Sequence, residues 1–181
     1  VPAVVAVVPT RNPGPWLETM LASLAAQEYA NLTTLVIDAG SVVDVAARVA
    51  EVLPNAFVKR VREPSFAVAA NDALGTIEGA SFYLFCHDDV ELRPGAVQAL
   101  VEEAFRSNAG IVGAKLVDWD HDDHLRSVGG SIDKFGFSWP IAEPDELDQA
   151  QHDAVREAFV VSSATMLVRA DLVADLGGFS T

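Results

Sequence analysis

The sequence holds one cysteine, Cys86, so no internal disulfide can form, and a reducing compartment is the simpler expectation. No apolar run approaches the roughly 20 residues that a membrane-spanning helix requires, and no signal-peptide pattern opens the chain. Basic residues are scarce: 12 Lys and Arg against 26 Asp and Glu leave a net charge of −14. That imbalance argues against nucleic acid and anionic membrane surfaces as partners. There is no P-loop, Gly-x-Gly-x-x-Gly, His-Glu-x-x-His or Gly-x-Ser-x-Gly pattern, and the chemistries those motifs carry go with them. Internal repeats and low-complexity tracts are also missing. What remains is a globular composition, 50% hydrophobic over 181 residues, enough for one α/β domain with a sizeable core.

The stretch around which the rest is organised runs from Ala80 to Gly95. Phe82 to Cys86 is unbroken apolar sequence, as suits a strand buried on both faces of a sheet. Asp88 and Asp89 follow at its carboxyl end, where open α/β sheets bind ligands. Two adjacent acids repel unless a cation lies between them. A divalent-metal site facing a phosphate is one reading, since hard cations take oxygen ligands. A solvated turn or an acid pair at a helix N-terminus is the other.

The chain alternates strand and helix on either side of this stretch. Val4 to Val8, Leu35 to Ile37 and Ala56 to Val61 read as strands, the last more polar and nearer an edge. Trp16 to Gln27, Val42 to Leu53, Ser65 to Ile77 and Pro94 to Ser107 read as helices, with Ser65 a candidate N-cap. The alternation predicts a parallel, doubly wound sheet with right-handed crossovers through residue 107. Beyond it, Ile111 to Val117 predicts a strand, 118–124 a polar loop, and Arg126 to Phe137 short strands and turns. Pro140 to Gln151 is acidic and expected to be exposed, leading a helix through Ala158. Phe159 to Val161 and Thr165 to Val168 read as late strands. Ala170 to Leu176 reads as a helix closed by Gly177-Gly178.

Five segments together resemble the nucleotide-sugar-binding domain of family 2 glycosyltransferases. They are Val8-Pro9-Thr10-Arg11-Asn12, Val36-Ile37-Asp38-Ala39-Gly40-Ser41, Phe66-Ala67-Val68-Ala69-Ala70-Asn71, Phe85-Cys86-His87-Asp88-Asp89-Val90-Glu91-Leu92, and Ser163 to Arg169 leading to Gly177-Gly178-Phe179. Each is weak alone, but five in register span almost the whole chain. The resemblance implies an α/β GT-A fold, Rossmann-like, with a mostly parallel central sheet and helices on both faces. It implies one domain over 1–181, with a nucleotide-sugar-binding half (1–107) and a small acceptor-side half (108–181) truncated at its C-terminal end. Residue 1 already leads into a strand and the chain stops soon after Gly-Gly-Phe, as in an excised domain, so a missing anchor carries no weight. The fragment is expected to be soluble and cytoplasmic, with a membrane-associated parent protein compatible with that expectation.

The resemblance also implies a site. Asp89 matches the position of the strongest ligand to Mg²⁺ or Mn²⁺, and Asp88 the acid that contacts ribose or metal. His87 stands where the first acid of an Asp-x-Asp motif is expected, and serves either as a Mn²⁺ ligand or structurally. Asp38 matches the acid that hydrogen-bonds the imide of a uracil-type base; its competing reading is a capping acid. Pro9, Thr10, Asn12 and Gly40 match the loops against base and ribose, and Asn71 matches an asparagine near the diphosphate. The departure comes after Gly-Gly-Phe: an acid serves as the acceptor's base in the family, where Ser180 and Thr181 stand here. The catalytic base is therefore left unassigned.

The implied activity is inverting transfer of a sugar from a UDP- or dTDP-type donor to a carbohydrate or lipid-linked acceptor hydroxyl, in cell-surface polysaccharide or glycoconjugate synthesis. A donor-binding module without turnover competes with it, through the His87 and Ser180 changes. A nucleotidyltransferase would need a basic, glycine-rich loop after the first strand, where only Arg11 is cationic. Asp120, His121, Asp122, Asp123 and His124 read as a solvated loop ahead of a second metal site. Trp119 and Trp139 read as packing residues ahead of sugar-stacking ones.

Overall fold

The computed structural model describes residues 1–62, 65–75 and 77–180. The first half contains β1 (Val4–Thr10), α1 (Leu17–Ala25), β2 (Leu32–Asp38), α2 (Val45–Val52), β3 (Phe57–Arg60), α3 (Phe66–Leu74), β4 (Phe82–Cys86) and α4 (Ala96–Ser107). The second contains β5 (Ile111–Gly113), β6 (Leu116–Val117), β7 (Leu125–Ser127), β8 (Gly130–Ile132), β9 (Ser138–Pro140), β10 (Thr165–Arg169) and α5 (Ala170–Leu176). Six strands form one sheet in the order β3-β2-β1-β4-β10-β5. β1 to β4 pair in parallel, while β10 lies antiparallel to both β4 and β5.

Strand periodicity explains why β1 and β4 are apolar throughout. Successive side chains point to opposite faces, so both sets must be apolar when both faces are covered. Val4, Ala6 and Val8 join Phe82, Leu84 and Cys86 in one core, against α1, α2 and α4. Val5 and Val7 join Tyr83 and Phe85 in the other, against Ala70 of α3 and Val173 of α5. Helical spacing does the same for α1, where Leu17, Met20, Leu21 and Leu24 are buried together. α2 starts at Asp44, whose side chain accepts the Ala47 N–H at 3.0 Å. Ser65 Oγ meets the Val68 N–H at 3.5 Å, a marginal version of the expected cap. Cys86 is fully buried, and burial pushes its thiol up to about 12, so it stays protonated and packs as a small apolar residue.

The order turns on β1, whose neighbours are β2 on one side and β4 on the other. That reversal is a topological switch point, where the chain leaving each strand departs to opposite sides and opens a crevice. β3 is an edge strand, as its polarity suggests.

Beyond residue 107 the structure corrects several expectations. The strand expected from Ile111 to Val117 is divided between two sheets: β5 joins the main one, and β6 pairs with β7. Phe159 to Val161 makes only an isolated bridge, Gly130 with Val160. No helix leads through Ala158. In that segment polar side chains take the amides a helix would use: Glu146 accepts the Glu143 N–H, and Asp148 the Ala150 N–H. Asp145 and Ala150 also adopt positive φ, +58° and +64°. Among the described residues no helix is long and apolar enough to cross a membrane.

Candidate functional site

The parallel strands deliver their carboxyl ends to one rim. Thr10, Asp38 and Arg60 are register neighbours there, and His87, Asp88 and Asp89 follow β4 beside them. The antiparallel β10 brings its N-terminal end to the same rim, since Thr165 pairs with Cys86.

Across the switch point the Thr10 hydroxyl donates to Asp88 Oδ2. Thr10 is buried, and this bond joins the ends of β1 and β4 directly. On the other side of β1, Asp38 is 3% exposed, a position where a carboxylate needs partners. Its Oδ1 accepts the Ser41 N–H at 2.8 Å, and its Oδ2 lies 3.6 Å from Arg60 Nε. Arg60 also donates to the Ser41 carbonyl at 2.6 Å. Asp38 thus closes its own turn, while the helix cap falls to Asp44. Gly40 supplies the positive φ of +77° on which that turn depends.

Asn12 ties the loop after β1 to the loop after β2. Its N–H donates to Ser41 Oγ and its Oδ1 accepts the Val42 N–H, both at 2.8 Å. Arg48 of α2 supports the same loop, donating to the Pro13 and Gly14 carbonyls and to both Glu18 carboxylate oxygens. The Arg48 bond holds Glu18 below the usual carboxylate range, and Glu18, with a smaller share from Asp88, raises Arg48. Pro9 stands in the β1–β2 ladder opposite Ile37.

His87 is tied to β10: its backbone N–H donates to the Ala164 carbonyl at 3.0 Å, and its Nε2 lies 3.3 Å from Ser163 Oγ. Its Nδ1 is 4.0 Å from Asp89 Oδ1, and the Asp89 side chain is 60% exposed. Among the described residues no three His, Cys, Asp or Glu side chains are arranged to enclose a metal. The donor set nonetheless fits a cation bound in part by substrate. Mg²⁺ in particular takes one or two protein carboxylates and completes its shell with phosphate and water, and Asp89 offers an outward carboxylate for this.

Asn71, expected near the diphosphate, is bonded to a turn late in the chain. Its Nδ2 donates to the Phe179 carbonyl and its Oδ1 accepts the Phe179 N–H, each at 2.8 Å. Phe179 in turn meets Phe85 edge-on at 5.0 Å, so Asn71 and β4 hold the Gly177-Gly178-Phe179 turn. Ser180 follows it, exposed, and Thr181 lies outside the described residues. Of the acids on the 118–124 loop, Asp118 is taken up by the Asp120 and His121 amides and by Arg126, which hold it below the usual carboxylate range.

Arg48, Arg60 and Ser163 belong to this rim, and sequence reasoning gave none of them a role. Arg60 had a readable signal, a basic residue ending a strand at the carboxyl rim. Arg48 had none, because its contacts are with backbone carbonyls more than 30 residues away.

Comparison with known proteins follows this geometry. The sequence profile described as Glycosyl transferase family 2 matches residues 5–173. No curated protein matches significantly in sequence. Among solved structures, TarS 1–349 of S. aureus superposes with a TM-score of 0.68 at 17% identity, covering 97% of this chain and 49% of that one. The same protein in complex with UDP-GlcNAc gives 0.65 at 19%, covering 97% and 47%. The mannosyltransferase PcManGT of Pyrobaculum calidifontis, in complex with GDP-Man and Mn²⁺, gives 0.67 at 18%, covering 99% and 48%. The chain therefore spans about half the length of these structures, and at such identities they establish the fold.

Proposed function

The chain belongs to glycosyl transferase family 2, and from that premise we propose that its rim binds a nucleotide-diphosphate sugar whose sugar passes, with inversion, to an acceptor hydroxyl. The observation that carries the reading is the Thr10–Asp88 bond across the switch point, with Asp38 buried on one side and Asp89 exposed on the other. A ligand lying along that rim meets the turn at Asp38 and carboxylates at its far end. The related structures hold UDP-GlcNAc and GDP-Man, whose bases both carry a ring N–H beside a carbonyl.

Each residue has a task in this reading. Asp38 accepts from the base N–H, its orientation fixed by Ser41 and Arg60. Asn12 and Arg48 keep the loop after β1 closed against base and ribose. Asp88, held by Thr10, faces the ribose, and Asp89 with His87 would hold Mg²⁺ or Mn²⁺. When bound, that ion neutralises charge developing on the departing diphosphate. The displacement is then a single attack at the anomeric carbon on the face opposite the diphosphate, with the acceptor proton passing to a base. Asn71 positions the turn after which the family's base is expected. The acceptor is read as a carbohydrate or lipid-linked hydroxyl, the setting as surface polysaccharide synthesis, and the location as cytoplasmic, in keeping with a lone reduced thiol.

A thermal-shift panel tests this reading. UDP and dTDP with Mn²⁺ should raise the midpoint more than CDP or ADP. A base lacking the imide donor forfeits a hydrogen bond to a charged acceptor and sets its own lone pairs against the carboxylate, at a cost of about 1–3 kcal/mol. Equal shifts for all four nucleotides would remove Asp38 from base recognition. No shift with any nucleotide and metal would remove the donor site.

A further inference from the structure

Trp119 and Trp16 are more than surface packing. Their rings stack with centroids 4.8 Å apart and planes 26° apart, although residue 16 is the N-cap of α1 and residue 119 lies between β6 and β7. The Trp119 indole Nε1–H donates to the backbone carbonyl of Asp89 at 2.7 Å. One side chain from the second half of the chain thus grips two loops of the first half. One is the loop after β1, which carries Asn12 and ends at Trp16, the residue before α1; the other is the loop after β4, which carries Asp89.

The grip is itself supported. Asp118, next to Trp119, accepts the Asp120 and His121 amides at 2.9 and 3.1 Å and an Arg126 N–H at 2.6 Å, so the loop presenting the indole is closed on itself. Asp89 needs such support more than its neighbours. Asp88 is anchored by Thr10, whereas the Asp89 side chain is 60% exposed. An exposed carboxylate in a short loop samples several orientations, and a cation ligand must be held in one.

We infer that Trp119 is the positioning residue for Asp89: the indole N–H fixes the Asp89 peptide, the stack on Trp16 fixes the indole, and cation-dependent binding of a nucleoside diphosphate depends on both. This rests on the donor-site reading above, and it adds that the second half of the chain helps build the donor site. Both rings are also well placed to report occupancy, with Trp16 42% and Trp119 38% exposed.

The test measures UDP affinity by calorimetry, with Mn²⁺ and with EDTA, for the unsubstituted chain and for Trp119→Phe, which keeps an aromatic ring and removes the N–H. Loss of one hydrogen bond that orders a ligand should weaken Mn²⁺-dependent affinity by about five-fold and leave affinity in EDTA unchanged. Mn²⁺-dependent affinity within two-fold of the unsubstituted chain overturns the inference while leaving the donor site standing. If the unsubstituted chain shows no Mn²⁺-dependent binding, the donor-site reading falls and the inference with it. A second arm uses Trp139→Phe, which leaves Trp16 and Trp119 as the only indoles, and decides the matter if Trp119→Phe does not fold. Adding Mn²⁺ and UDP should then change the tryptophan emission, and unchanged emission at saturating UDP overturns the inference.

Discussion

Residues 1–107 and 108–181 are held together by different means. In the first region, strands of four to seven residues stack in parallel, and those of β1 and β4 are buried on both faces. In the second, β5 to β9 have only two or three residues each. Large apolar side chains there stand in the open, Phe135 at 74% and Phe159 at 81% exposure. Ion pairs there join loops beside the short strands, with Lys115 reaching both Asp148 and Asp153. The one longer strand of the second region, β10, is inserted into the sheet of the first. The difference teaches that the carboxyl-end rim is built on a buried apolar platform, while the second region depends more on local polar contacts.

The comparison breaks most sharply at Phe85. It is fully buried in β4 and touches Phe179, so both regions lean on it. Phe85→Ala should cost about 3–5 kcal/mol in a denaturant titration, with a single transition for both regions. Phe159→Ser should stay within about 0.5 kcal/mol, as surface changes do. Equal losses would mean that the second region has a core of its own.

A smaller effect is expected at Thr10. Thr10→Val keeps the shape and removes the donor to Asp88, which should weaken nucleotide binding by about ten-fold, corresponding to the roughly 1–3 kcal/mol of an unsatisfied polar group. Calorimetric affinity equal to that of the unsubstituted chain would detach this bond from the site.

The smallest effect separates the regions by pH. Gln151, the Glu143 amide and His152 hold the Glu146 carboxyl down at about 2, against an ordinary 4.5. A depressed folded value stabilises above the unfolded value and is lost as pH falls through the folded one. The second region should therefore begin to loosen below about pH 4.5 and lose this contribution near pH 2. Carboxyl NMR of Glu146 titrating near 4.5 in the folded chain would contradict it.

How much the sequence disclosed follows the same division. The apolar runs of β1, β2 and β4 and the stripes of α1 and α4 were legible because burial on known faces imposes a period. Asp38, Asp88 and Asp89 could be placed at strand ends next to breakers from the sequence, and the structure puts them at the carboxyl rim of the parallel strands. The failed helix through Ala158 shows the limit: its composition allows a helix, but Glu146 and Asp148 capture the amides through side chains, a choice periodicity does not record. Asn71 stands in a motif the sequence displays, but its hold on Phe179, 108 positions away, leaves no local signal. The contacts of Arg48 and the Trp16–Trp119 stack went unread for the same reason, since long-range polar and ring contacts leave no local pattern.

The most direct test of the donor rim is calorimetry of UDP binding with and without Mn²⁺, for the unsubstituted chain and for Asp89→Ala. The account predicts that Mn²⁺ tightens binding to the unsubstituted chain and that Asp89→Ala abolishes the Mn²⁺-dependent part while the fold, read by thermal midpoint, is kept. Mn²⁺-dependent binding that survives unchanged in Asp89→Ala would contradict it.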